Sequence, residues 1–100
     1  MSRNIKLSKR ASLKLEKLLF YLENEWSLKD KNNFIAKFDR SLSLLIKNPD
    51  SFPKSEIMNG LCKCIITKQT TVYYRFDDEN IYIITIFDNR QNPKKLQKEI

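Results

Sequence analysis

A chain of 100 residues is long enough for one domain with a modest core and too short for two, so residues 1–100 are predicted to form a single domain. Its 19 Lys and Arg against 12 Asp and Glu give a net charge of +7, which favours a polyanion or an acidic protein as partner. The lack of histidine excludes the commonest general base. No stretch resembles a signal peptide or a membrane span, so we expect a cytoplasmic protein with no membrane partner.

Residues 3–7 are predicted to form a short edge strand, because polar and apolar residues alternate there. Ser8 follows this strand and can cap a helix. Beyond it the apolar residues recur at intervals of three, four and seven, which is typical of one face of a helix. This first stripe consists of Ala11, Leu15, Leu18, Leu19, Leu22 and Trp26. It needs a sheet or a second helix to cover it.

A second helix is predicted to begin directly after the first, because Ser27 and Asp30 have the spacing of a capping box. The helix should end at Asn48, because the residue before Pro49 avoids the helical region. Its apolar stripe consists of Phe34, Ile35, Phe38, Leu42, Leu45 and Ile46. Two helices joined by so short a connection form an antiparallel hairpin.

A loop over residues 50–58, with Phe52 as an apolar anchor, leads to three strands in a row. Residues 61–67, 71–77 and 80–88 are rich in Ile, Val, Tyr, Phe and Thr, which predicts an antiparallel meander. Residues 93–100 should add one or two basic helical turns. The expected fold class is therefore α+β: an N-terminal edge strand, an antiparallel helix hairpin packed on an antiparallel meander sheet of three further strands, and a short basic C-terminal segment.

Alternation within the strands predicts which side chains share a face. In the second strand of the meander, Val72, Tyr74 and Phe76 oppose Tyr73, Arg75 and Asp77. In the last strand, Ile81, Ile83, Thr85 and Phe87 oppose Tyr82, Ile84 and Ile86. Both faces of the last strand are thus apolar, and the strand should be central. Cys62 and Cys64 share one face of the first strand of the meander, where we expect reduced, partly buried packing residues.

The side chains that remain for chemistry are cations and phenols on or beside the sheet. They are Lys63, Lys68, Tyr73, Arg75, Tyr82 and Arg90. Such a set can stabilise charge on phosphate oxygens in a phosphodiester transition state, and it can equally form a contact surface. Because the chain has no glycine-rich loop and no cluster of metal ligands, we expect no cofactor, no metal and no small-molecule substrate.

Each of the two arginines in this set has a structural interpretation beside the functional one. Arg75 can pair with Asp77 or stack on a neighbouring tyrosine. Arg90 follows the last strand, where loops collect functional residues, and Asp88 can simply hold it in place. The basic charge forms two patches: Lys9, Arg10, Lys14 and Lys17, and then Arg90, Lys94, Lys95 and Lys98.

The chain resembles the RelE/ParE superfamily of toxins from type II toxin–antitoxin systems. The resemblance rests on the order of strand, helix hairpin and meander over nearly the whole chain. It also rests on three local features: Tyr74-Arg75-Phe76, the acidic turn Asp77-Asp78-Glu79, and the corner Asp88-Asn89-Arg90-Gln91-Asn92-Pro93 after an apolar strand. The resemblance implies a single toxin domain that inhibits growth, serves plasmid stabilisation and has a cognate antitoxin as partner.

Two activities are implied within this superfamily. RelE-like members cut messenger RNA in the ribosomal A site with sheet lysines and arginines and a C-terminal tyrosine, whereas ParE-like members poison DNA gyrase. This chain fits the nuclease pattern poorly, because Thr71 stands at the arginine position, Cys62 and Cys64 stand at the lysine positions, and no tyrosine follows Arg90. The Tyr74-Arg75 pair is closer to the ParE-like pattern.

Three hypotheses follow. The first is a ParE-like toxin that binds DNA gyrase, with Arg75, Arg90, Tyr73, Lys94 and Lys95 as target-binding candidates. The second is a RelE-like ribonuclease that acts with the ribosome and mRNA, with Arg90, Arg75, Lys63 and Lys68 as weak catalytic candidates. The third is a non-toxic binding module that still pairs with an antitoxin. Enzymatic activity is left open, with the balance against it.

Overall fold

The structure, a computed structural model, describes residues 3–56, 60–92 and 94–98. In chain order these ranges form β1 (Asn4–Leu7), α1 (Lys9–Tyr21), a π-helical turn (Leu22–Trp26), α2 (Leu28–Lys47), a 3₁₀ turn (Pro49–Ser51), β2 (Cys62–Thr67), β3 (Thr70–Phe76), β4 (Asn80–Asp88) and α3 (Lys94–Lys98). The predicted α+β class and element order are confirmed, and each strand begins and ends within one residue of its predicted bounds. None of the described helices is both long and apolar enough to cross a membrane.

The four strands form one sheet in the order β1-β4-β3-β2. Strands β2, β3 and β4 are antiparallel neighbours and form the predicted meander. Strand β1 pairs with β4 in parallel, from Asn4 opposite Asn80 to Leu7 opposite Ile83. The N-terminal strand therefore lies at an edge and β4 lies in the interior, as the sequence predicts.

Both long helices begin at serine caps. The Ser8 hydroxyl accepts a hydrogen bond from the Ala11 amide at 3.0 Å and donates one to the Ile84 carbonyl of β4 at 2.6 Å. The Ser27 hydroxyl accepts from the Asp30 amide at 3.0 Å and donates to the Asp30 carboxylate at 2.8 Å. Each cap satisfies an otherwise unpaired amide of the first turn, which confirms both predicted helix starts.

The helix hairpin covers one face of the sheet and forms the main core. Its buried members include Ala11, Phe34, Phe38 and Leu45 from the helices and Cys62, Cys64, Ile66, Val72, Tyr74, Ile81, Ile83 and Ile86 from the strands. Val72, Tyr74 and the partly buried Phe76 share this face, as predicted. Both cysteines are buried within it, as expected of packing residues.

One member of the first predicted stripe lies outside this core. Trp26 is 66% exposed, whereas Leu22 packs against the core. The cause is the π-helical turn over Leu22–Trp26, because its wider winding rotates Trp26 off the line on which Leu15 and Leu18 lie. The prediction that Trp26 belongs to the buried stripe is wrong.

The opposite face of the sheet has a smaller core beneath α3. It contains Leu61, Tyr73, Phe87 and Leu96, with Ile84 packed against it. Leu96 is fully buried although α3 has only five residues. Both faces of β4 are therefore covered, and the predicted helical tail is confirmed over Lys94–Lys98. Pro93, Glu99 and Ile100, which also belong to the predicted tail, lie outside the described residues.

A β-bulge in β4 changes which of its residues share a face. Tyr73 pairs with Thr85 and Tyr74 pairs with Ile83, so Ile84 is an extra residue without a partner on β3. Ile86 therefore joins Ile81 and Ile83 in the main core, whereas Phe87 joins Ile84 beneath α3. The alternation predicted for β4 is correct up to Ile83 and wrong from Thr85 onward.

The loop after α2 is anchored from within. Phe52 packs edge-on against Tyr74 at 6.4 Å between ring centroids, which confirms its predicted role. Pro53 accepts a hydrogen bond from the Lys63 amide at 2.9 Å, so this loop covers part of the outer edge of β2. Gly60 has φ of 86°, a conformation that side-chain-bearing residues rarely adopt, and it leads the chain into β2. Residues 57 and 58 of the predicted loop lie outside the described residues.

Candidate functional site

An open groove lies between the tip of the helix hairpin and the end of the sheet where β4 finishes. We call it the tip groove; its volume is about 750 Å³. The residues that line it come from α1, the π-helical turn and α2 on one side, and from the β2–β3 turn and the β4 corner on the other. Those used below are Lys14, Lys17, Tyr21, Trp26, Asp30, Lys37, Lys68, Asp88 and Arg90.

The corner after β4 is held by a two-pronged ion pair. Arg90 donates from Nε to both carboxylate oxygens of Asp88, at 3.0 and 3.1 Å, and from Nη2 to Oδ2 at 2.7 Å. This pairing lowers the pKa of Asp88 and raises that of Arg90. The side chains remain 34% and 60% exposed, so the pair fixes the corner without removing it from solvent. Asp88 therefore holds Arg90 in place, as the structural interpretation expects, and the functional role of Arg90 stays a prediction.

Two exposed aromatic rings form the opposite wall of the groove. The indole Nε1 of Trp26 donates to the phenol oxygen of Tyr21 at 3.3 Å, and the two residues are 66% and 43% exposed. Tyr21 lies close enough to Arg90 to contribute to the raised pKa of that arginine. The groove therefore brings together aromatic rings of the hairpin and the arginine of the strand-end corner, more than sixty positions apart in the chain.

Positive charge dominates the tip groove. Its lining holds five cations, Lys14, Lys17, Lys37, Lys68 and Arg90, against two acids, Asp30 and Asp88. Both acids are already engaged, Asp30 by Ser27 and Asp88 by Arg90. Lys14 lies over the Phe87 ring, 5.5 Å from its centroid, and also helps to lower the pKa of Asp88.

The turn that carries Lys68 is tied to the β4 corner through Asn89. The backbone N–H of Asn89 donates to the Gln69 carbonyl at 2.8 Å, and the side-chain Nδ2 of Asn89 donates to the Lys68 carbonyl at 3.3 Å. Thr71 donates to the Asn89 side-chain oxygen at 2.9 Å. These bonds keep Lys68 and Arg90 on the same side of the groove.

The remaining candidates from the sequence lie elsewhere. Arg75 is exposed on the α3 side of the sheet, opposite Tyr82, and within the described residues it forms no ion pair with Asp77. Asp77 instead accepts from the amides of Glu79 and Asn80 at 2.9 and 2.7 Å and from the Tyr82 hydroxyl at 3.0 Å. The hydrogen bonds from the backbone amides of Glu79 and Asn80 lower the pKa of Asp77.

Lys63, Tyr73, Lys94 and Lys95 also lie outside the tip groove. Lys63 is half-buried on β2 opposite Tyr73, and the two lysines of α3 are exposed. Tyr73 is only 6% exposed and packs edge-on against Phe87 at 6.3 Å, as a core residue does. The role of Arg75, Tyr73, Lys94, Lys95 and Arg90 in target binding stays a prediction.

Five titratable groups on or beside the sheet have pKa values shifted away from neutral pH, and Asp88 alone among these five lines the tip groove. Burial raises the pKa values of Tyr73 and Tyr74, and the hydrogen bond to Asp77 raises that of Tyr82. The pKa values of Asp77 and Asp88 are lowered, so the pKa values of all five groups lie further from neutral pH than usual. Over the described ranges, no three His, Cys, Asp or Glu side chains come together as metal ligands.

Sequence reasoning missed Tyr21, Trp26 and Lys37 as groove residues. Lys14 and Lys17 were recognised as part of a basic patch, but nothing connected this patch to Arg90. The one available signal was the pair of aromatic residues, Tyr21 and Trp26, at the end of the first predicted helix.

Solved structures show the same fold. The chromosomal ParDE toxin–antitoxin system of P. aeruginosa is similar with a TM-score of 0.70 and 12% sequence identity, over 87% of this chain and 96% of that one. The DinJ–YafQ toxin–antitoxin complex of E. coli is similar with a TM-score of 0.61 and 16% identity, over 90% and 96% of the two chains. YafQ from E. coli strain BL21(DE3) has a TM-score of 0.58 and 18% identity, over 88% and 94%.

Among curated proteins no sequence matches the chain significantly. A family model does match: it is described as the ParE toxin of the type II toxin–antitoxin system parDE, and it covers residues 5–93. That span includes all but the first residue of the edge strand, the hairpin, the whole meander and the Arg90 corner. The chain belongs to the ParE toxin family of type II toxin–antitoxin systems.

Proposed function

We propose that this protein is a toxin that inhibits growth by binding DNA gyrase in the cytoplasm and is neutralised by a cognate antitoxin. The family match over residues 5–93 and the likeness to a ParDE system support the toxin role. The choice of a protein target over RNA cleavage rests on a single observation, the separation of the four catalytic candidates.

Lys68 and Arg90 line the tip groove, whereas Lys63 and Arg75 lie on the strands outside it. A phosphodiester cut needs its cations and its proton acceptor around one phosphate. Here the cations are divided between two places, and the nearby Asp88 has a lowered pKa that makes it a poor base. This arrangement supports contact with a macromolecule without covalent change.

A gyrase supercoiling assay tests the target. Purified wild-type protein should inhibit supercoiling of a relaxed plasmid at micromolar concentration. Arg75→Gln and Arg90→Gln should each weaken inhibition, because each removes an exposed cation proposed to contact the target. Lys47→Gln is the matched control, because Lys47 is an exposed cation at the far end of α2. Unchanged supercoiling in the presence of micromolar wild-type protein would reject gyrase as the target.

RNA cleavage is the second candidate, and one observation favours it: Lys68 and Arg90 line the same groove. Toeprinting of a translated message on purified ribosomes decides between the two. We expect no cuts in the ribosomal A site. Cuts that disappear in Lys68→Gln and Arg90→Gln, but persist in Lys47→Gln, would establish the ribonuclease instead.

The antitoxin part of the proposal rests on charge and on the relatives. The net charge of +7 favours an acidic partner, and two of the similar structures are toxin–antitoxin systems. Induction of this chain alone should arrest growth, and co-expression of a small acidic protein encoded beside it should relieve the arrest. Normal growth on induction would indicate the third possibility, a non-toxic binding module.

A further inference from the structure

The hairpin tip presents a flat aromatic surface of a kind that a folded domain normally buries. Trp26 is two-thirds exposed, and the one polar atom of its side chain, Nε1, donates a hydrogen bond to the hydroxyl of Tyr21. The hydrogen bond fixes the indole beside the phenol and leaves most of the indole surface exposed. An indole held in this way can take a planar ring in a stacking contact.

Cations line the same groove as this aromatic surface. Lys17, Lys37 and Lys68 are exposed, and the Arg90 side chain is 60% exposed while paired with Asp88. The lining holds five cations against two acids, and among the described residues Lys17, Lys37 and Lys68 form no ion pair, so the groove keeps a net positive charge. Aromatic stacking surfaces inside a cationic groove are the pattern by which proteins hold single-stranded nucleic acids.

An acidic helix from a protein partner fits this groove less well. Such a helix needs a row of apolar anchors on the surface that receives it. The other exposed apolar side chains of the hairpin do not line the tip groove; they are Leu13, Phe20, Leu28 and Leu44. The further apolar residues of the lining are half-buried or buried and form its floor; they are Leu18, Leu22, Phe34, Ile86 and Phe87. Duplex DNA also fits less well, because its bases are stacked on one another and cannot reach Trp26.

From these observations we infer that the tip groove binds single-stranded nucleic acid, with a base stacked on Trp26 and phosphates held by Lys17, Lys37 and Lys68. The site holds the strand without cutting it. The inference does not depend on gyrase being the target: gyrase inhibition and strand binding are separate measurements, and either can fail alone.

Fluorescence titration with short oligonucleotides tests the site. Trp26 is the only tryptophan of the chain, so quenching of the intrinsic fluorescence reports a ring stacked at this position. Twelve-nucleotide oligo-dU and oligo-U, which differ in the sugar alone, should both quench it, and a tighter complex with one of them identifies the preferred sugar. A duplex of the same length should bind more weakly and quench little. Equal quenching by the duplex, or no quenching by either single strand, would overturn the inference.

Two variants test the stacking contact, with binding followed by the anisotropy of a labelled oligonucleotide. Trp26→Ala should weaken binding about tenfold, because a base–aromatic stack is lost. Phe20→Ala is the matched control: Phe20 is 69% exposed on the same hairpin but lies outside the groove, so its removal should leave affinity unchanged. Equal effects of the two substitutions would overturn the stacking role.

The salt dependence tests the lysines. Three phosphates neutralised on a single strand predict a slope of log K against log salt of about −2, and Lys68→Gln should reduce its magnitude by about 0.7. Lys47→Gln should leave the slope unchanged. A polyglutamate peptide supplies the competing interpretation: if it binds as tightly as oligo-U and quenches Trp26 equally, the groove is a site for an acidic protein and the inference fails. Thermal unfolding of each variant confirms that it is folded.

Discussion

At the scale of single residues, Tyr74 connects the loop after α2 to the centre of the sheet. It is fully buried, and its hydroxyl donates to the Pro49 carbonyl at 2.6 Å. Its ring also contacts Phe52. One side chain thus contributes apolar area to the main core and satisfies a buried carbonyl at the turn that ends the hairpin.

Removal of the Tyr74 hydroxyl should therefore be costly. Tyr74→Phe leaves the buried Pro49 carbonyl without its donor, so we expect the free energy of unfolding to fall by about 1–3 kcal/mol in urea titrations. Tyr82→Phe is the control, because the Tyr82 hydroxyl bonds to the exposed Asp77, where water can replace it. A similar loss in both variants would show that the buried bond has no special weight.

The Asp88–Arg90 pair controls the titration of the strand-end corner. The hydrogen bond from Arg90 is the main cause of the lowered pKa of Asp88. Arg90→Gln should therefore raise the pKa of the Asp88 carboxyl toward its ordinary value of about 3.9. NMR titration of the carboxyl carbon measures this directly. Lys94→Gln, which removes an exposed cation outside the pair, should leave the Asp88 titration unchanged.

The same pair gives a pH dependence of stability with a definite sign. Because the folded pKa of Asp88 lies below its unfolded value, the pair stabilises the protein above about pH 4 and loses this contribution as the pH falls through the folded pKa. Between about pH 6 and about pH 2, the wild type should lose more unfolding free energy than Arg90→Gln. Parallel pH profiles would contradict this assignment.

At the scale of elements, two predictions from the sequence are wrong for one physical reason: the placement of Trp26 in the buried stripe and the alternation of β4 after Ile83. Periodic patterns predict faces only while the period holds, and each error follows a local change of period. Ile84 is the extra residue of a bulge in β4, and the π-helical turn over Leu22–Trp26 is wound more widely than an α-helix. Up to these points alternation and helical spacing give the correct faces, and beyond them they do not.

The helix cap at Ser8 is connected to the bulge, which yields an element-scale prediction. Ser8 caps α1 and also donates to the Ile84 carbonyl, whereas the hydroxyl of Ser27 caps α2 and, among the described residues, bonds within its own first turn alone. Ser8→Ala should therefore lower the free energy of unfolding by about 2 kcal/mol and Ser27→Ala by about 1 kcal/mol. Urea titration of both variants measures the difference. Equal losses would show that the bond to the bulge contributes nothing beyond the cap.

Element order was predictable from local chemistry, whereas the tip groove was not. The serine caps, the Asn48-Pro49 stop and the β-rich runs each act within a few residues, so the sequence shows them directly. The tip groove joins Trp26 to Arg90, and its walls meet only because the hairpin packs across the sheet. The parallel pairing of β1 with β4 is likewise set by packing between segments more than seventy residues apart.

At the scale of the whole molecule, the sheet is the middle one of three layers. The hairpin covers one face with the main core, and α3 covers part of the other with Leu96. The two basic patches of the sequence thereby reach different parts of the surface: Lys14, Lys17 and Arg90 meet at the tip groove, whereas Lys94 and Lys95 stand on α3. The target-binding candidates are therefore divided between the tip groove, which holds Arg90, and the α3 side of the sheet, which holds Arg75, Lys94 and Lys95.

This layering predicts that a five-residue helix contributes to the stability of the entire domain. Leu96 is fully buried against Tyr73 and Phe87, so Leu96→Ala should open a cavity and lower the free energy of unfolding by about 2–4 kcal/mol. Lys95→Ala changes an exposed residue of the same helix and should stay within about 0.5 kcal/mol of wild type. If the two variants unfold at the same urea concentration, α3 is detached before the rest of the molecule unfolds, and the second core adds nothing to global stability. If only Leu96→Ala is destabilised, α3 belongs to the cooperative unit, and the exposed cations it carries are held in fixed positions relative to Arg75 on the same side of the sheet.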